Sequence, residues 1–205
     1  VNGGQTLLVT DSGTTTFGGA VGGTTVLTSV TTDADGTTAI NGGAITTSAT
    51  QTYNDNVTVG TNNATLTTTN SAVTFAGTTT LGKDLTVGSG TGNVTFTGTV
   101  NGGSNLTVNW AGAPREPAAF GATTALTSVT TDAAGTTAIN GGAVTTTGAQ
   151  TYNDAVSLGA GTTLTGVNVS LNGTVNGGQT LLVTDSGTTT YGGAVGGTTA
   201  RTSVT

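Results

Sequence analysis

The chain contains no cysteine, no histidine and no methionine. Without cysteine it has neither disulfides nor thiolate metal sites. Without histidine it lacks the commonest general base and metal ligand. Charge is scarce as well: 6% of residues are charged, against about 25% in an average soluble domain. Only Lys83, Arg115 and Arg201 are basic, and the net charge is -6. Nucleic-acid binding needs a basic stripe to neutralise phosphates, and a polybasic membrane anchor needs the same residues. Three scattered cations supply neither, so no nucleic-acid partner and no membrane insertion are expected. No run of about 20 apolar residues offers a spanning helix. Proline occurs only 2 times.

Glycine and threonine fill the gap. Glycine accounts for 36 of 205 residues, and threonine is commoner still. β-branched residues favour strands, and glycine supplies turns. The low charge argues against charge-rich disorder.

The chain also repeats itself. Residues Val1–Gly23 recur at Val175–Gly197 with one change, Phe17 to Tyr191. Residues Thr24–Asn56 recur 99 residues later as Thr123–Ala155, differing at 7 of 33 positions. Inside these blocks runs a smaller rule: a large apolar residue, three residues, then usually valine or alanine. Phe17, Ile40, Tyr53, Phe75, Phe96, Ile139, Tyr152, Leu171 and Tyr191 carry it. Alignment puts a further member at Glu116 and Phe120. Counted this way, about ten units of roughly 20 residues span the chain.

Alternation within a unit is strand-like. Leu85 with Val87, and Val94 with Phe96, form in-facing pairs, and the threonine, asparagine and serine between them are expected to face outward. Glycines after the aromatic, such as Gly77 and Gly98, suit a corner. Strands of about four residues cannot bury a core alone, so such units must stack. The expected fold is an all-β parallel β-helix, a β-solenoid of about ten coils, forming a single unit over residues 1–205. The nine apolar residues of the rule are expected to form one interior ladder.

Two passages depart from the pattern. Residues 110–120, WAGAPREPAAF, hold both prolines, the only tryptophan and the only glutamate. They read as a looped-out or imperfect coil rather than an inserted binding loop. Arg201 stands where the other copies have Leu27 and Leu126, an in-facing place tolerable only near an exposed end.

No motif for chemistry emerges. Asp33-Ala34-Asp35-Gly36 lacks the glutamate and repeated ligands of a calcium loop, and its second copy reads Asp132-Ala133-Ala134-Gly135. Tyr53-Asn54-Asp55 and Tyr152-Asn153-Asp154 read as a ladder aromatic followed by turn formers. The acidic residues mostly recur with the repeat, whereas an active site breaks it. No catalytic residue, metal site or cofactor is expected. Rows such as Thr14–Thr16, Thr78–Thr80 and Thr188–Thr190 raise ice binding as an alternative, and Tyr with Asn on one face raises glycan binding.

The sequence TTTFGGAVGG…LTSVTTDA…GTTAINGGA…QTYNDA resembles the repeats of filamentous-haemagglutinin-like exoproteins and large repeat adhesins of Gram-negative bacteria. The resemblance implies a right-handed parallel β-helix, secretion to the cell surface or beyond, and a structural role in adhesion or biofilm matrix. Expected partners are further copies of the same repeat, continuing the array or stacking end to end, and host-cell or matrix glycans. Both ends of the sequence fall inside repeats, which predicts a window on a longer array.

Overall fold

A computed structural model describes residues 1–112, 119–197 and 203. Among these residues are 24 short strands and no helix. Every strand pairing is parallel, as in the pairs formed on each face. Alternation decides which side chains go in. Val73 and Phe75 are fully buried and Thr74 between them faces out, the period of two that pleating imposes.

The chain winds as a parallel β-helix with three strands to the coil. Gln51–Tyr53, Asn56–Val59 and Ala64–Thr68 make one coil, and Val73–Phe75 then stacks on Gln51–Tyr53. The first face runs from Leu7–Val9 to Val94–Phe96. The second starts at Thr14–Phe17 and reaches Val100–Asn101. It continues through Phe120, bridged to both Val100 and Val144, to Leu181–Asp185. The third is an 8-stranded sheet from Ala44–Thr47 to Thr190–Tyr191. Thr136–Ile139, Ala155–Leu158 and Val175–Asn176 pair together. Chain order assigns them to the first face, beyond residues 113–118.

About 9 turns result. Coil length varies: Ile40 pairs with Val59, 19 residues on, and Val21 with Ile45, 24 residues on. The expected length of roughly 20 residues therefore fits, while the count is nine rather than ten. The difference lies in two short steps of the sequence rule, Ile40 to Tyr53 and Ile139 to Tyr152. Each advances two strands instead of three, and so moves the rule to a neighbouring face.

The expected single ladder is accordingly three. Phe17 stacks on Ile40 on the second face, followed by Val59 and Leu81. Tyr53, Phe75 and Phe96 stack on the first face. Their ring centroids lie 5.2 and 4.7 Å apart with nearly parallel planes. Tyr152, Leu171 and Tyr191 align on the third face, while Ile139 pairs with Leu158. All nine are buried except Tyr191, which is 40% exposed in the outermost described rung of its sheet. Each fully buried valine, leucine, isoleucine or phenylalanine contributes about 1.5–3 kcal/mol, distributed over every coil.

Phe120 takes the place that alignment gives it, that of Val21 four residues after the ladder position, and bridges to Val144 as Val21 bridges to Ile45. It is buried and meets Phe96 edge-on at 5.5 Å. Glu116, Arg115 and Arg201 lie outside the described residues. The corner glycines have a different reason from the one expected. A Cβ on Gly77 would stand 2.4 Å from the Asp55 carbonyl oxygen, and one on Gly98 would stand 2.3 Å from that of Gly77. Close approach of successive coils, not the sharpness of the turn, demands glycine there.

Candidate functional site

Threonine is not confined to the outside. Thr32, Thr38, Thr47, Thr68 and Thr79 are all buried. Strict alternation from Val30 puts Thr32 inside, a signal overridden by treating threonine as an outward residue. Such hydroxyls require partners, because an unpaired buried polar group costs about 1–3 kcal/mol.

Asp55 is the first partner. It is buried at the corner between the first and second faces, and it accepts hydrogen bonds from Thr32 Oγ1 and Thr38 Oγ1, both 2.7 Å. The sequence reading of Asp55 as a turn former is corrected: it is an interior acceptor. Gln51 is the second partner. Its Nε2 donates to the carbonyls of Ile45 and Thr67, at 3.1 and 3.0 Å, and its Oε1 accepts from Tyr53 Oη at 3.0 Å.

Both arrangements recur around a different corner. Asp154 accepts from Thr131 at 2.8 Å and from Thr137 at 2.9 Å. Gln150 donates to Val144 and Thr165 and accepts from Tyr152. Burial raises the Asp154 carboxyl above its ordinary range, against the lowering effect of the two threonine bonds. Burial likewise pushes the Tyr53 phenol up, and the neighbouring Asp55 adds to it. Tyr53 and Tyr152 are 0% and 1% exposed, so neither can contact a glycan. These clusters hold the coil together and present nothing to solvent.

Outside, the threonine rows differ from those expected. Thr15 is half-buried and Thr79 buried, so the triplets do not form flat strips. A continuous hydroxyl row instead climbs the third face: Thr65, Thr86, Thr107, Thr130, Thr151, Ser170 and Thr190, each registered on the next.

The same face carries a cleft of about 460 Å³. Its walls include Thr67, Asn70, Asn109, Trp110 and Asp132, and Gly88 and Gly90 lie between them. A β-bulge is the local cause. Gly88 pairs with Asn109 and Gly90 with Trp110, leaving Ser89 as an extra residue, and Gly90 adopts φ 60°. Trp110 is 1% exposed, and its indole Nε1 has no hydrogen-bond partner among the described residues. Asp132 Oδ1 accepts from the Trp110 backbone N–H at 3.1 Å.

Among the described residues, no three of His, Cys, Asp and Glu come close enough to hold a metal ion. Asp33 is half-buried and Asp35 exposed, each without a second acidic group completing a ligand set. No protein-family model, curated protein or solved structure matches this chain.

Proposed function

We propose that this chain is a structural, non-enzymatic segment of an extracellular or cell-surface fibrous protein, a stiff rod serving adhesion or a biofilm matrix. The observation that carries the reading is that one block is built around two different corners of the coil. The block holding Thr32, Gln51 and Asp55 recurs as Thr131, Gln150 and Asp154 around a neighbouring corner, with the same hydrogen bonds. A coil that accepts the same block at more than one corner can be extended without the sequence repeat keeping step with the faces. That is what a spacer needs, and what a single enzyme site does not use.

Rod geometry follows from strand spacing. Nine rungs at about 4.8 Å give a length of about 43 Å. Small-angle scattering of the purified chain tests the rod: an elongated particle whose long axis grows by about 4.8 Å per added coil supports it, and a compact globule defeats it. Antibody labelling of intact and permeabilised source cells tests the location. Signal on intact cells is expected, and signal only after permeabilisation overturns the extracellular part. The partners we propose are further copies of the repeat and, at one place, a glycan.

A second reading rests on the hydroxyl row from Thr65 to Thr190, whose rungs share one face in register. Such a row can order water against a surface. Thermal hysteresis in a freezing assay favours ice binding; its absence at millimolar protein removes that reading.

A further inference from the structure

In a repeat protein a unique site is expected where the repeat breaks. On the third face the register shifts between Gly88 and Gly90. The row through this position reads Thr46, Thr67, Gly88, Asn109, each registered on the next. Nothing in the fold asks for glycine here. A Cβ at Gly88 would meet only the Leu66 carbonyl oxygen, at 3.9 Å, and the residue has no left-handed φ. Glycine inside a strand weakens it, so the position forgoes stability and leaves a notch.

Three further irregularities meet at this notch. The bulge at Ser89 re-aims the chain on its way to Gly90, and bulges gather beside functional sites. The only tryptophan borders the cleft from the interior at 1% exposure, so it reports on the cleft without contacting a ligand. Its indole N–H is buried and has no partner among the described residues, although tryptophan N–H groups usually find an acceptor when buried. Asp132, half-buried at the upper end, puts one carboxylate on the wall.

We propose that this cleft is a binding site for a neutral oligosaccharide. The walls offer hydroxyls from Thr67 and Thr91, amides from Asn70 and Asn109, and the Asp132 carboxylate. Amides and carboxylates pair with the donor and acceptor faces of sugar hydroxyls. Lys83 is the one basic side chain among the described residues, and it does not line the cleft. Sulfated and uronic-acid chains are therefore disfavoured by the carboxylate, and no cation among the described residues lines the cleft to support them. The bare glycine backbone lets the flat apolar side of a ring lie close. A volume of about 460 Å³ falls within the range of about 300–1,000 Å³ for small-molecule sites. The site adds a function to the rod without depending on the rod being extracellular.

The test uses the whole chain and its single tryptophan. Cellotetraose, mannotetraose, N-acetylchitotetraose and a heparin tetrasaccharide are titrated while Trp110 fluorescence is followed, with calorimetry as the second readout. Saturable binding of at least one neutral probe is expected, with heparin silent. Gly88→Thr restores the hydroxyl that Thr67 carries one coil below and fills the notch. It should weaken binding tenfold or more while the melting temperature holds or rises. Asp132→Asn should weaken it less. If no neutral probe binds at millimolar concentration, if only heparin binds, or if Gly88→Thr binds as the parent does, the proposal is wrong. A Gly88→Ala variant guards against a packing artefact: it should fall between the parent and Gly88→Thr.

Discussion

Thr79 offers the sharpest test of how the interior works. It lies on the second face in a row that reads Thr38, Val57, Thr79, Val100. It is 0% exposed, and its hydroxyl has no hydrogen-bond partner among the described residues. Thr38, in the same row, donates to Asp55 Oδ2 at 2.7 Å. The corner one coil above Thr79 has Gly98 in the place that Asp55 takes above Thr38, so no carboxylate reaches Thr79. Replacing Thr79 by valine exchanges an orphaned hydroxyl for a methyl group of similar size. The relief is about 1–3 kcal/mol, the desolvation penalty of the unmade bond. For a chain of this length that is a rise of about 2–4 °C in Tm for each kcal/mol. Thr38→Val is the matched control. It removes a bond to a charged acceptor, and should cost about 1.5–3 kcal/mol. Urea denaturation of both variants, followed by circular dichroism, gives the two signs. If Thr79→Val is destabilising, or if both changes move stability in the same direction, the account of interior hydroxyls is refuted.

Asp154→Asn tests the second polar corner through pH. Burial raises the Asp154 pKa, so its ionised form is disfavoured in the folded chain. The group's contribution is therefore most favourable below the ordinary carboxylate pKa of about 3.9 and is lost as pH rises through the raised value. Melting curves should show the variant gaining on the parent across that window and then levelling; a constant difference, or the parent gaining on the variant as pH rises, counts against it. Tyr53→Phe leaves the buried Oε1 of Gln51 without the phenol that bonds it, and should cost about 1–3 kcal/mol by denaturant titration; a neutral result would mean that water or a rearrangement replaces the bond. EDTA should leave the Tm unchanged, since no metal-holding cluster of acidic residues forms among the described residues; a fall of several degrees would contradict this.

Much of the fold can be read from the residues. The alternation of Val73, Thr74 and Phe75 places them correctly, and units of about 20 residues with no core of their own can only stack. The number of faces is not legible. A repeat measured in residues hides how many strands each step contains, and the steps Ile40 to Tyr53 and Ile139 to Tyr152 contain two rather than three. The interior polar groups were within reach of the same alternation that found the apolar ones. Counting by two from Val30 reaches Thr32, and from Ile40 back reaches Thr38. What hid them was composition: threonine is so abundant on the outside that its presence inside carries no distinct signature. The cleft is least legible of all, because Gly88 in a chain with 36 glycines reveals its purpose only when its neighbours on the adjoining coils are known to be Thr67 and Asn109.

The paired polar corners explain why the sequence repeat and the coil need not keep step. Asp55 draws on Thr32 and Thr38, and Gln51 on the carbonyls of Ile45 and Thr67, all in the same coil or the coil next to it. Nothing in this bonding set refers to a particular face. When the block returns 99 residues later it begins around another corner, and Asp154 and Gln150 rebuild the same contacts there. Buried polar groups of this kind are costly unless fully satisfied, and satisfied ones fix a single arrangement. They pin the register of each coil on its neighbour locally, so an array can lengthen by any number of strands that keeps these blocks whole. A ligand site obeys the opposite logic. It requires one place to differ from its equivalents on every other coil, and on the third face that place is the notch at Gly88, between Thr67 below and Asn109 above.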